Sequence, residues 1–235
     1  MPKKENIQKM FDDIAPEYDK LNHIMSFEID KGWRKKAVRK LVDTDKSLEI
    51  LDVACGTGDF SIEIAKKTKI GSHITGVDLS SGMLEIGKKK VNDLGLSEKI
   101  KLEQGDCEHL RFPEQSFDRV SAAFGVRNFE NLETGLKEMR RVLKTGGKIV
   151  ILELSVPDNK LLLALYKIYT LRLLPAIGGV ISGNRGAYEY LPSSVIKFPK
   201  PEKFKDLMSR CGFKNIKSRS FTFGVCRMYT GERCD

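Results

Sequence analysis

The stretch ILDVACGTGDFSIEI, residues 50–64, decides how the chain is read. An apolar run of strand character breaks at two glycines, Gly56 and Gly58, and resumes as a helix-like pattern opening on Asp59. A strand, a glycine turn and a helix in that order open a nucleotide-binding α/β unit. The dinucleotide fingerprint G-x-G-x-x-G requires a third glycine, and Ser61 stands in its place. The turn also carries two carboxylates, Asp52 and Asp59. Free amides and the dipole at a helix N-terminus attract anions, and acidic neighbours oppose a pyrophosphate there. A ligand whose nearest part is positive suits Asp52, Gly56, Thr57 and Gly58 better than a phosphate pair.

Further acids stand at matching points along the chain. Asp78 comes twenty residues after Gly58, at the end of the next strand pattern, HITGVDLS. A carboxylate there accepts both hydroxyl hydrogens of a ribose. Asp106 ends the third, KIKLEQGD, and can accept from the exocyclic amine of adenine. A glycine turn alone is often only a tight turn, and an aspartate ending a strand is often only a helix cap. Three such features in order, each at a strand's carboxyl end, fit ribose, adenine and an amino-acid tail without phosphate. S-adenosylmethionine (SAM) has those parts.

The rest of the chain extends the alternation. Residues 3–43 carry helical spacing, with Ile7, Met10, Phe11 and Ile14 on one stripe and Trp33, Ala37, Val38 and Leu41 on another. Further strands are predicted at FDRVSAAFG (117–125) and GGKIVILEL (146–154), and further helices at 81–96, 132–144 and 201–212. Two β-rich runs, 213–221 and 223–231, close the chain. Parallel neighbours need crossover helices, so this order predicts an open, mostly parallel sheet with helices on both faces and a hairpin-like end.

The 235 residues suffice for one well-buried domain. Forty-one basic against 32 acidic residues leave a net charge of +9, which suits a nucleic acid, an anionic membrane or an acidic small molecule as well as a plain solvated surface. Five scattered cysteines without a CxxC pair and three separated histidines predict neither a disulfide framework nor a metal site. MPKKENIQKMFDD lacks the apolar core of a signal peptide, which predicts a cytoplasmic chain. Residues 161–181 approach the length of a membrane span, but Lys167, Arg172 and Pro175 interrupt them. They read as a buried or interfacial helix ending near Pro175, with a core helix covering the sheet preferred for most of its length.

DVACGTGD, VDLS, GDCEHL and FDRVSAAFG together resemble the class I SAM-dependent methyltransferases. YDKLNHIMSFEIDKGW (18–33) is similar to the first signature of the ubiquinone/menaquinone-biosynthesis C-methyltransferases, and RVLKTGGKIVILELS (141–155) to their second. FGVRN (124–128) and AYEYLPSSVIKFP (187–199) resemble the same family, and the chain looks closer to its menaquinone-only branch. Leu21, Asp30, Cys107, Ala123 and Thr145 depart from the usual methionine, histidine, alanine, serine and proline.

The resemblance implies a Rossmann-like α/β fold with a mostly parallel seven-stranded sheet and a C-terminal antiparallel hairpin. It divides a single domain into an N-terminal helical lid (1–45), a SAM-binding core (46–155), an acceptor-side helical insertion (156–200) and a C-terminal helix and hairpin (201–235). The implied reaction is methyl transfer from SAM to a ring carbon of demethylmenaquinol, leaving S-adenosylhomocysteine; a ubiquinone precursor is left open as a further acceptor. Arg127, Tyr18 and Asn22 are the catalytic candidates, and Cys107 joins Asp52, Gly56, Thr57, Gly58, Asp78 and Asp106 on the cofactor side. No metal is required. Glu153 is either catalytic or the partner of an arginine, and Tyr188 and Tyr190 either line the acceptor pocket or pack. The substrate's prenyl tail gives the 161–181 helix a second reading, peripheral contact with the inner face of a membrane, and a homodimer is left open. The rivals are a SAM-dependent methyltransferase acting on RNA or another small molecule, and a nucleotide sensor without catalysis. The absent Asn/Asp-Pro-Pro-aromatic run after the fourth strand and the lack of clustered aromatics on a basic sheet count against an RNA substrate.

Overall fold

The computed structural model describes residues 3–26, 28–157, 159–168 and 185–235. Two helices, α1 (Lys4–Met25) and α2 (Ile29–Leu41), precede β1 (Glu49–Val53). Strands and helices then alternate: α3 (Asp59–Ala65), β2 (His73–Asp78), α4 (Ser81–Asp93), β3 (Ile100–Gln104), β4 (Phe117–Ala123), α5 (Leu132–Val142) and β5 (Leu143–Leu154). The chain continues through α6 (Lys160–Ile168), α7 (Arg185–Lys197) and α8 (Pro201–Arg210) into β6 (Lys214–Phe221) and β7 (Cys226–Glu232).

The seven strands lie in the order β3-β2-β1-β4-β5-β7-β6. β1 to β5 pair in parallel, while β7 is antiparallel to both β5 and β6. Direction of travel across the sheet reverses between β1 and β4, and ligands of open α/β sheets bind outside the strands' carboxyl ends at such a point. Local signals set the helix starts: Ser80 Oγ accepts from the Met83 N–H at 3.1 Å, and Asn131 Oδ1 from the Thr134 N–H at 3.0 Å.

Each central strand sends alternate side chains into two cores. Leu51, Val120 and Ile151 meet α5 and α8 through Leu136, Met139, Phe204 and Met208. Ile50, Val150 and Leu152 meet α2, α3 and α4 through Ala37, Leu41, Ile64 and Leu84. All of these except Leu84, at 2%, are 0% exposed, and truncating one such leucine or methionine to alanine costs about 2–5 kcal/mol. A third cluster puts Ile14 and Ala15 of α1 on Met83 of α4, so α1 lies over the loops of the carboxyl edge and not in the sheet layers.

α6 departs from the sequence reading. Leu161 and Ile168 stand 71% and 51% exposed, so this stretch is not a core helix covering the sheet. Residues 169–181, with Arg172 and Pro175, lie outside the described residues, as do the side chains of Lys160 and Lys167. Among the described residues no helix is long and apolar enough to cross a membrane.

Candidate active site

The β1–α3 turn forms the floor of a cleft at the switch point. Gly56 and Gly58 hold φ of 55° and 78°, a region open to glycine at little cost. A Cβ built on Gly56 would meet nothing within 4 Å, so the space above this wall residue is open. Ala54 and Phe124, where the chain leaves β1 and β4, also adopt positive φ (54° and 60°). Strain of this kind concentrates at functional sites. It turns the Phe124 ring toward Trp33, at 6.3 Å between ring centroids, and under the Arg34 guanidinium at 5.6 Å.

Asp78 ends β2 in the cleft wall. Its Oδ2 accepts from the Gly56 N–H at 2.8 Å and its Oδ1 from the Ser80 N–H at 2.9 Å. Burial raises its pKa against those two bonds. Each carboxylate oxygen keeps a lone pair able to accept a further hydrogen bond. Asp106, on the next loop, accepts from Lys4 Nζ at 2.8 Å and from the Glu108 N–H at 2.8 Å, with His109 Nδ1 at 2.9 Å. Burial alone would raise its pKa, but the Lys4 ammonium and the other two donors hold it below the usual carboxylate value. Cys107 also lines the cleft; burial pushes its thiol pKa far up, which excludes a thiolate.

Helix α1 closes the cleft from above with three polar contacts, each to a different loop. Lys4 reaches Asp106, Asp12 accepts from Ser80 Oγ at 2.6 Å and the Gly82 N–H at 2.9 Å, and Asp19 accepts from Thr57 Oγ1 at 2.6 Å. Lys90 Nζ ties the last contact to the floor, 2.7 Å from Asp19 and 2.5 Å from Asp59.

The opposite end of the cleft is built around Arg127, on the 3-10 turn Val126–Asn128. Its Nη1 donates to Glu153 Oε1 at 2.8 Å and to the Phe124 carbonyl, its backbone N–H to Glu153 Oε2 at 3.1 Å, and its Nε to Ser194 Oγ at 3.3 Å. Burial opposes the charge, yet Glu153 and the nearby phenols of Tyr18 and Tyr190 leave the guanidinium pKa raised. Tyr190 Oη donates to Asn128 Oδ1 at 3.0 Å. Tyr166 of α6 lines the same wall, and burial pushes its pKa up to about 12, Arg127 opposing, so it is a neutral hydrogen-bonding group at physiological pH.

One cleft thus gathers Gly56, Thr57, Asp78, Asp106, Cys107, Tyr18 and Arg127. Asp52 stands apart from these: it is 0% exposed and lies beneath the turn, its oxygens accepting from Ser61 Oγ at 2.6 Å and Ser121 Oγ at 3.0 Å. Burial pushes its pKa up to about 6 despite those bonds. Gly58 likewise shapes the turn from outside the cleft wall, donating to the Cys55 carbonyl at 2.9 Å. Glu153 is the partner of Arg127. The side chains of Asn22 and Tyr188 lie outside the described residues. Sequence reasoning missed Lys4, Asp12, Lys90 and Tyr166. Lys4, Asp12 and Asp19 fall eight and seven residues apart, a spacing that places them on one helical face. Among the described residues no three His, Cys, Asp or Glu side chains gather as a metal site.

The fold is one shared with SAM-dependent methyltransferases. A solved SAM-dependent methyltransferase from Thermotoga maritima superposes with a TM-score of 0.65 over 96% of this chain and 99% of that one, at 20% identity. The [4+2]-cyclase SpnF shares the fold with a TM-score of 0.74 over 99% and 97%, at 16% identity. The chain belongs to the ubiE/COQ5 methyltransferase family, whose sequence model matches residues 1–233. It is 44% identical to the demethylmenaquinone methyltransferase of Bacteroides fragilis, over 98% of this chain and 94% of that protein. It is 48% identical to a ubiquinone/menaquinone biosynthesis C-methyltransferase of Geotalea daltonii, over 98% and 97%.

Proposed function

We propose that the chain transfers a methyl group from SAM to a ring carbon of a prenylated demethylmenaquinol, giving menaquinol. The observation that carries this reading is one continuous cleft with Asp78 and Asp106 at one end and the Glu153-held Arg127 at the other. Full-length likeness to proteins named for this reaction supports it.

SAM supplies an electrophilic methyl on a sulfonium. In the transfer the carbon–carbon bond forms as the sulfur–methyl bond breaks, and the ring then gives up the proton of the carbon that was methylated. Asp78 would hold the ribose hydroxyls and Asp106 the adenine amine, with Gly56, Thr57 and Cys107 forming the adjoining wall. The ring carbon becomes nucleophilic when a neighbouring hydroxyl ionises, so the acceptor end must stabilise a phenolate. Arginine stays protonated and acts there as a donor and not as a base. Glu153 fixes its orientation and balances its charge, while Tyr18 and Tyr166 exclude water and offer further hydrogen bonds to the quinol oxygens. The reading extends to a chain working at the cytoplasmic surface of the membrane that holds its substrate, supported by the exposed Leu161 and Ile168 of α6.

Incubation with labelled SAM and a short-chain demethylmenaquinol, analysed by mass spectrometry, tests the proposal. Methylated quinol is expected. Label in tRNA and none in quinol would overturn the assignment.

A further inference from the structure

The turn Thr222–Gly224 joins β6 to β7 at the carboxyl edge of the sheet, because β7 runs antiparallel to β5; the cleft opens at this same edge. Thr222, Phe223 and Gly224 are all left-handed, with φ of 45°, 54° and 95°. Only the glycine adopts that conformation freely, and a phenylalanine there is strained. Neighbouring groups hold the turn in place. Trp33 Nε1–H donates to Thr222 Oγ1 at 3.0 Å, the Ser155 N–H donates to the Val225 carbonyl at 2.9 Å, and Ser155 Oγ donates to the Gly224 carbonyl. The result is a phenyl ring lifted out of the fold. Phe223 is 78% exposed, while Phe221, two residues earlier, is buried.

Cations stand at the base of the turn, against the buried Phe221 two residues before the exposed ring. Lys36 Nζ lies 5.2 Å and Arg219 Cζ 5.6 Å from the centre of the Phe221 ring. Lys35 and Lys36 are exposed on α2, and Arg219 is exposed on β6. Ile29, 45% exposed, opens α2 beside this edge, and α6 begins five residues beyond Ser155 with Leu161 exposed.

We infer that Phe223 is an interfacial anchor that seats the mouth of the cleft on an anionic lipid bilayer. The ring enters the boundary between headgroups and acyl chains, and the ammonium and guanidinium groups meet lipid phosphates. Val225, just past the turn, and Trp33, which holds it, both line the cleft. Seating the turn therefore sets the opening against the bilayer, and a tailed acceptor reaches the cleft without leaving the lipid. The inference rests on the proposed quinol reading for its purpose and on the turn alone for its geometry. A second copy of this chain fits the face less well, since two such faces would bring like charges together.

Sedimentation of the full chain with phosphatidylglycerol/phosphatidylcholine vesicles tests the anchor. Phe223→Ser is expected to lower the partition coefficient about 10-fold. The double variant Lys36→Glu/Arg219→Glu is expected to lower it by a similar factor, about 10-fold, and only on vesicles containing phosphatidylglycerol. Phe223→Trp should keep binding, with an emission shift to the blue on adding vesicles. Calorimetric SAM binding and methylation of a short-chain quinol in solution should be unchanged in all three, which shows that they fold. Absence of lipid binding by the wild type, or equal partitioning of wild type and Phe223→Ser, overturns the anchor and leaves the quinol reading standing. Lipid binding without quinol methylation removes that reading and leaves the anchor. A dimer that Phe223→Ser dissociates, without lipid binding, assigns the face to a second copy and also overturns the anchor.

Discussion

The two ends of the cleft are built on different principles. At the end proposed for the cofactor, polar groups arrive on strand ends: Asp78 closes β2, Asp106 follows β3, and the glycine turn follows β1. The sheet fixes their spacing, and their carboxylates accept mainly from backbone amides and from α1. At the acceptor end, Tyr166, Tyr190 and Ser194 come from α6 and α7, outside the strand alternation, and Tyr18 comes from α1. Those helices are organised around one buried ion pair, Arg127–Glu153. A sheet edge tolerates the loss of one contact because its neighbours are fixed by the ladder. A wall built on one ion pair does not.

The largest effect should therefore come from Arg127. Arg127→Ala leaves Glu153, 0% exposed, without its cation, and should lower the unfolding free energy measured in urea by about 3–5 kcal/mol. Replacing both partners, Arg127→Met with Glu153→Gln, should restore most of that stability without restoring turnover. Normal turnover in the double variant would show that the pair only holds the wall and would erase the contrast.

The floor at the cofactor end makes a smaller and pH-dependent demand. Asp52 has a folded-state pKa of about 6, above its unfolded value of about 3.9. A raised carboxyl pKa contributes stability that is fully present below the unfolded value and lost as pH rises through the folded one. Between pH 4 and pH 8 this group should cost the fold about 3 kcal/mol. Asp52→Asn should flatten that dependence in denaturation curves at several pH values. Asp106, held below its usual pKa, has the opposite sign: its contribution is present above the unfolded pKa and lost as pH falls through the folded one.

Next comes the proposed cofactor contact. Asp78→Ala should weaken calorimetric SAM binding by about 2 kcal/mol, or roughly 30-fold, the scale of hydrogen bonds to a charged acceptor. An unchanged affinity would move the ribose elsewhere. The smallest effect belongs to Lys4→Ala. Its pair with Asp106 is about a quarter exposed on each side, and such pairs contribute about 0–1 kcal/mol. Stability should barely move, while hydrogen exchange in the first turns of α1 should quicken.

How much of this was legible in the sequence follows the same division. The strands, the glycine turn and the placement of Asp78 and Asp106 could be read because period and spacing are local properties of the chain. Asp52 could be placed at the turn but not beneath it. Its depth depends on Ser61 and Ser121, the latter 69 residues away on β4. Glu153 read equally well as catalytic or paired until Arg127 was seen beside it. The α1 contacts were written in a seven-to-eight-residue spacing, but charged residues on a helix ordinarily mark its solvated face. α6 misled in the other direction. Its leucines suggest burial, whereas Leu161 and Ile168 face outward.

The three-point attachment of α1 has a mechanical consequence. The helix that clamps Asp106, Ser80 and Thr57 also carries Tyr18 to the Arg127 wall. Lifting α1 from those three loops means lifting that tyrosine as well. The two halves of the cleft are thus mechanically linked: displacing α1 opens both together.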